Sequence, residues 1–268
     1  MSFHKISIVT PSYNQAAFIE ETILSVLNQN YPNLEFIIID GGSTDGSVEI
    51  IKKYESRLSY WESMPDKGQT HAINKGMQRA TGDILTWLGS DDYLEADALF
   101  KVAAAFEDKA FSLVNGNCTV VKNGKIIELL DSGNINLERL MKFWIPYSIP
   151  PQPSIFFLRK VWDSCGPLDV RLNFAMDYQL WLRAAKEFKF KHINNNLSYY
   201  RFHDASKSGS ENGYEKFVPE WEKTLCRFVR QHLPIKEQFQ FFKSYSLRNC
   251  GPITKWNHLK AFTRLYFI

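Results

Sequence analysis

Two carboxylates side by side, Asp91 and Asp92, follow the apolar run Ile84-Leu85-Thr86-Trp87-Leu88, with only Gly89 and Ser90 between. At the end of a buried strand such a pair repels itself and loses hydration unless a cation compensates it. A hard divalent ion held by one or two carboxylates, with phosphate and water oxygens completing its shell, is the ordinary solution, so Mg2+ or Mn2+ is the expected cofactor. Such an ion clamps a diphosphate and neutralises charge developing on a leaving nucleotide. On the dipeptide alone a second reading stays open. Tyr93-Leu94-Glu95-Ala96-Asp97 could begin a helix that the two acids cap.

The elements that must position this pair are legible upstream. Ile6-Ser7-Ile8-Val9 is a β-rich run stopped by Pro11, and Phe36-Ile37-Ile38-Ile39 is a continuous apolar run, as expected of a strand covered on both faces. Between them Phe18, Ile19, Ile23, Val26 and Leu27 recur at helical spacing, with Glu20 and Glu21 in the early turns. Val48, Ile51 and Lys52 lead a second helix, and a third covers Gln69 to Arg79 before Gly82. Alternating strands and helices at this spacing predict a parallel sheet, which binds ligands at the carboxyl ends of its strands. At those ends stand Thr10-Pro11-Ser12-Tyr13-Asn14, Asp40-Gly41-Gly42 and Ser90-Asp91-Asp92. Polar, small and acidic residues thus collect at one edge.

The second half changes character. Asn123-Gly124 between Cys118–Val121 and Lys125–Leu129 is a hairpin signal. Ser154 to Leu158 and Leu197 to Phe202 read as strands, and Asp177 to Lys186 as a helix. From Tyr214 onward the chain reads as helical, divided by Pro219, Pro234 and Pro252. Across 268 residues a hydrophobic content of 44% excludes global disorder, and a net charge of +3 is too small to argue for nucleic acid. The four cysteines form no C-x-x-C pair, which fits reduced thiols. No apolar run reaches the ~18–20 residues that span a bilayer. With no leader pattern at Met1 to Lys5, the expectation is a cytoplasmic protein, with room for a peripheral place at the inner face of the membrane.

The ordered set Val9-Thr10-Pro11-Ser12-Tyr13-Asn14, Ile39-Asp40-Gly41-Gly42-Ser43-Thr44-Asp45-Gly46-Ser47, Asp66-Lys67-Gly68-Gln69, Asn74-Lys75-Gly76, Gly82-Asp83-Ile84 and Leu88-Gly89-Ser90-Asp91-Asp92 resembles the family 2 glycosyltransferases of the GT-A fold. Met176 to Arg183 resembles that family's catalytic acidic helix start. The likeness covers about residues 5 to 205; each motif is weak, and their order is specific. It implies an α/β fold, a GT-A type Rossmann-like, mostly parallel sheet flanked by helices with a helical C-terminal extension. It also implies an inverting transfer of a sugar from a nucleotide diphosphate donor, a UDP-sugar favoured, to a hydroxyl acceptor.

The resemblance assigns roles residue by residue. Thr10, Pro11, Tyr13 and Asn14 match the base-binding edge, with Tyr13 against a nucleobase; a plain turn is the alternative. Asp40 matches the acid that bonds the base imino group, unless it caps the Gly41–Ser47 turn. Asp66, Lys67 and Asn74 fall on the nucleotide side. Ser90 stands where the family motif has its first acid, so the metal falls to Asp92, and Asp91 keeps a ribose or supporting role. Asp177 is the catalytic base, with helix N-capping as its alternative, and His203 completes the metal shell unless it is a plain surface histidine. Gln152 and Ser154 match acceptor-side positions, with local packing the competing reading.

The expected division is a catalytic domain over 1–212, with a donor half to about 115 and an acceptor half over 116–212, then a helical extension over 213–268. The partners implied are a nucleotide-sugar donor and a saccharide or lipid-linked saccharide acceptor of cell-surface polysaccharide or glycolipid synthesis. The tail from Tyr245 to Ile268 interleaves basic and apolar residues, suiting membrane contact, packing or a homodimer contact. A sugar nucleotidyltransferase is the first alternative, though Thr10 to Asn14 stands where a glycine-rich phosphate loop belongs. A non-catalytic nucleotide-sugar-binding module is the second, and Asp177 discriminates it.

Overall fold

The computed structural model describes residues 3–204, 206–207 and 213–249. Four strands and three helices build the first half: β1 (Ile6–Ser12), α1 (Ile19–Leu27), β2 (Leu34–Asp40), α2 (Ser47–Lys53), β3 (Tyr60–Ser63), α3 (Gln69–Arg79) and β4 (Ile84–Trp87). Their order across the sheet is β3-β2-β1-β4, all parallel. Ile6, Ile8, Phe36 and Ile38 enter one core with α1, while Val9, Ile37 and Ile39 enter the other with α3. Both faces are therefore covered, and the apolar runs are unbroken for that reason. α3 lies close on the sheet, since a Cβ at Gly76 would stand 2.3 Å from Val9 Cγ1. Only glycine allows that approach.

The second half adds β5 (Tyr93–Leu94), α4 (Ala98–Ala105), β6 (Leu113–Lys122), β7 (Lys125–Leu130), α5 (Leu137–Leu140), β8 (Ile155–Leu158), α6 (Arg159–Cys165), α7 (Met176–Glu187), β9 (Phe190–Arg201), α8 (Gly213–His232) and α9 (Ile235–Asn249). Beyond β4 the sheet continues β8-β6-β9-β5, with β7 paired to β6. Here pairing is mixed: β8 is antiparallel to both neighbours, β6 and β9 run parallel, and β5 is antiparallel to β9. Parallel pairing is thus confined to the first half and the β6–β9 pair, so the expectation of a mostly parallel sheet holds for the first half only.

Several expectations need correction. Tyr93 and Leu94 form a strand, and the helix starts at Ala98, so Asp91 and Asp92 cap nothing. Pro219 lies inside α8, one of its first turns, and only Pro234 separates two described helices. α8 contributes Leu225, Phe228 and Val229 to the same core as α7, so the extension is packed on the sheet's helical layer. Cys118, Cys165 and Cys226 are free thiols. Among the described residues no helix is long and apolar enough to cross a membrane. Most of the basic and aromatic tail, 250–268, lies outside the described residues.

Candidate active site

A cavity of about 790 Å³ opens at the carboxyl ends of β1, β2 and β4. That size suits a ligand of nucleotide-sugar dimensions. Pro11, Tyr13, Asp66, Ser90, Asp91, Asp92 and Asp177 all line it. Asp92 and Asp177, remote in sequence, thus share one cavity wall, while Asp40, expected beside them, does not line it.

Asp91 and Asp92 sit in the turn after β4, which Thr22 of α1 fastens through its hydroxyl to the carbonyls of Ser90 and Asp92 (2.9 and 2.6 Å). Asp92 is buried, and its Oδ1 accepts the backbone N–H of Arg201 at 3.0 Å. Burial and the neighbouring Asp91 charge push its carboxyl well above the usual range, against the opposing Arg201 contacts. His203 Nε2 stands 3.1 Å from Asp91 Oδ2. The histidine, expected to complete the metal shell, thus contacts Asp91 of the acidic pair. The remaining oxygens, Asp91 Oδ1 and Asp92 Oδ2, approach one point: a Cβ at Gly89 would stand 2.8 and 3.0 Å from them.

That cradle is the test of a metal. Two carboxylate oxygens converge beside a glycine, one of them on the buried Asp92, and the set is what Mg2+ or Mn2+ takes when phosphate oxygens complete the shell. The residues fit, with Asp91 and Asp92 as the pair and His203 orienting Asp91. No cluster of three or more His, Cys, Asp or Glu side chains around one point exists among the described residues.

Asp177 opens α7, and its Oδ1 accepts the N–H of Tyr178 at 2.6 Å. The residue is half-buried and lines the cavity. Burial raises its pKa to about 6, with the Tyr178 N–H and the Lys207 charge pulling down. One turn later Trp181 stacks on Trp87 at the end of β4, ring centroids 5.5 Å apart and planes 7° from parallel. Residues four apart share a helix face, so this stack sets where Asp177 stands relative to the acidic turn.

Other expected residues do different work. Asp40 does not line the cavity: its Oδ2 accepts Gly42 N–H, Ser43 N–H and the Ser63 hydroxyl, and its Oδ1 the Ser43 hydroxyl. It caps the turn after β2, the alternative weighed for it. Asn14 likewise staples loops, taking Thr44 N–H on its Oδ1 while its own N–H goes to Ser43. Asn74 spends its amide on both backbone groups of Leu168 (2.9 Å each) and so positions the segment before α7. Thr10 is fully buried and Lys67 exposed, both off the cavity wall. Gln152 lines the cavity and donates to the Trp87 carbonyl, and Ser154 donates to that of Asn117.

Several wall residues carry no motif that assigns them a role. Ser12 Oγ, Gln15 Oε1 and Gln69 Oε1 are buried acceptors without a partner among the described residues, and all three residues line the cavity. Buried polar atoms are rarely left so, which marks them for ligand donors. Lys207 donates to the Asn173 carbonyl at 2.8 Å and lines the cavity beside Asp177. Burial lowers its pKa, while Asp177, Glu220 and Asp91 raise it. Its only sequence signal was its place after His203.

An α/β sheet carrying an acidic pair and a buried carboxylate around one cavity at its strand ends defines a nucleotide-binding group-transfer enzyme architecture. The family model described as Glycosyl transferase family 2 matches residues 7–163, and the chain belongs to that family. It is 26% identical to the UDP-Glc:alpha-D-GlcNAc-diphosphoundecaprenol beta-1,3-glucosyltransferase WfgD of Escherichia coli over 87% of this chain and 90% of that one. Of two other curated glycosyltransferase relatives the chain spans 66% of the length of one and 48% of the other. In fold it is similar to S. aureus TarS 1-349 in complex with UDP-GlcNAc (TM-score 0.69, 19% identity, 88% of this chain and 70% of that one). It is also similar to the mannosyltransferase PcManGT of Pyrobaculum calidifontis in complex with GDP-Man and Mn2+ (TM-score 0.60, 14% identity, 98% and 85%). The fold is that of the GT-A glycosyltransferases.

Proposed function

We propose that the chain is an inverting, metal-assisted glycosyltransferase that moves a sugar from a UDP-sugar to a hydroxyl of a saccharide or lipid-linked saccharide, in cell-surface polysaccharide or glycolipid synthesis. The observation that carries this reading is Asp177, a carboxyl group held near pKa 6 in the same cavity wall as Asp91 and Asp92. A group poised there is ionised at neutral pH and still basic enough to take a proton.

In the proposed reaction the acceptor hydroxyl oxygen attacks the anomeric carbon from the side opposite the diphosphate. The new C–O bond forms as the anomeric carbon–phosphate oxygen bond breaks, and the electron pair leaves with the nucleoside diphosphate. The hydroxyl proton passes to Asp177, and one displacement inverts the centre. A divalent ion at Asp91 and Asp92, when bound, supplies positive charge for the leaving diphosphate. Tyr13, 63% exposed on the cavity rim, offers a ring face to the base, and Ser12, Gln15 and Gln69 offer acceptors to the nucleoside. The UDP-Glc donor in the name of WfgD and the UDP-GlcNAc bound to TarS support a uridine donor, and the diphosphoundecaprenol acceptor of WfgD supports a lipid-linked one.

A non-catalytic binding module has no use for a buried carboxylate beside the acceptor side of the cavity, and Asp177 favours the enzyme. Thermal shift with a panel of nucleoside diphosphate sugars tests the donor reading, because a ligand of the native state alone raises Tm. A UDP-sugar raising Tm only with Mn2+ present is the expected result. A panel in which no nucleotide sugar moves Tm contradicts it.

A further inference from the structure

We propose that Phe174, Phe217 and Trp221 form the subsite that takes a pyranose ring of the acceptor, a reading that rests on the transferase assignment of the same cavity. All three line the cavity together with Asp177, and all three are half-buried. Phe174 meets Phe217 at 4.8 Å with planes 55° apart, and Phe217 meets Trp221 at 5.5 Å and 66°. Rings tilted this far do not cover one another's faces as a parallel stack does. One face of a pyranose presents C–H groups whose positive edge suits an aromatic face.

The rings are held in the same cavity as Asp177. Glu220 on α8 accepts the N–H groups of Asn173 and Phe174 (2.8 and 3.1 Å), tying the aromatic helix to the segment that leads into Asp177. Glu220 is also near enough to raise the Asp177 pKa. Trp221 is braced from behind by Phe143 and Tyr178, at 6.3 and 6.4 Å. Asn173, Gln152 and Lys207 line the cavity with the rings. Aromatic surface interleaved with amide and ammonium groups matches a sugar, which has an apolar face and a hydroxyl rim, rather than an alkyl chain.

The test uses the full chain with UDP and Mn2+, and reads binding of methyl pyranosides of glucose, galactose, mannose and GlcNAc by saturation-transfer NMR. A GlcNAc diphosphate on a short alkyl chain and the same alkyl diphosphate without sugar complete the probes. The expected result is binding of sugar-bearing probes, weakened about tenfold (~1.4 kcal/mol) by Trp221→Ala and largely restored in Trp221→Phe, with UDP affinity unchanged. Phe217→Leu serves as the second variant should Trp221→Ala not fold. Binding indifferent to both positions, no sugar probe binding at all, or equal ring-dependent binding of the sugar-free diphosphate overturns the proposal. Failure of UDP to bind the wild type strikes the transferase reading instead, and ring-dependent sugar binding would survive it.

Discussion

Trp181 on α7 lies flat against Trp87 at the end of β4, and each ring is buried. The stack couples the helix that begins with Asp177 to the strand that ends beside Asp91 and Asp92. Trp181→Leu is therefore expected to lower kcat by about 10²-fold through misplacement of Asp177, the cost typical of a 1 Å error. Donor affinity, which depends on the other wall, should change little. Stopped-time kinetics with calorimetric UDP titration separates the two effects. A variant that loses donor binding and keeps kcat would contradict the coupling.

Gly89 is expected to be intolerant for a stated reason. An alanine methyl there would stand 2.8 and 3.0 Å from Asp91 Oδ1 and Asp92 Oδ2 and push both carboxylates aside. Gly89→Ala should fold, with Tm near wild type, yet lose the Mn2+-dependent part of UDP binding. Calorimetric titration with and without Mn2+ reads this, and unchanged metal dependence would sink the cradle.

Asp92→Asn should separate stability from binding. The carboxyl of Asp92 is driven well above the usual range by burial and by Asp91, so its charge destabilises the folded chain at neutral pH. The amide keeps an oxygen for the Arg201 N–H. The variant should melt higher than wild type and fail to gain UDP affinity from Mn2+. A lower Tm at pH 7.5 would argue against the electrostatic account.

The raised Asp177 pKa carries a sign for both rate and stability. Base catalysis needs the ionised form, so kcat should fall about tenfold per unit as pH drops below about 6. For folding, the native chain binds this proton more tightly than the unfolded one between about 4 and 6. Stability is thus lost as pH rises through that window and stays lower above it. Asp177→Asn removes the penalty and should be more stable at pH 8 by up to about 3 kcal/mol, less whatever Lys207 loses in its partner, with the difference closing below pH 4. Urea unfolding at three pH values checks it.

The opposite sign holds at Glu35. Burial pushes its carboxyl up, but hydrogen bonds from Lys5, Ser7 and Thr81 outweigh burial and bring it down to about 2. These bonds join β1, β2 and the turn before β4. Their contribution is complete above about pH 4.5 and is lost as pH falls through 2. Glu35→Gln should cost about 1–3 kcal/mol at pH 7 with little effect on UDP binding.

The first half was legible because its chemistry is local. Strands covered on both faces read as unbroken apolar runs, and loops after them concentrate at one edge, so β1, β2, β4 and the acidic turn could be placed. β3 was missed because Tyr60-Trp61-Glu62-Ser63 is an edge strand with one neighbour and no apolar run. Asp40 and Asn74 show what spacing leaves out: it reveals that a polar residue stands near a site, and not which hydrogen bonds, here to Ser43 and Leu168, it makes within the protein. Trp221 was invisible as a wall residue, since an aromatic at helical spacing reads equally as core. Asp177 was found through its resemblance to a motif. Its raised pKa comes from packing that no spacing encodes.

The most direct measurement compares transfer and donor binding in Asp177→Asn. With a UDP-sugar and a saccharide acceptor that the wild type turns over, the account predicts a kcat lower by about 10²–10⁴-fold and a donor Kd unchanged within error. Near-normal turnover in the variant would mean that another group takes the acceptor proton, and the account of this cavity would be wrong.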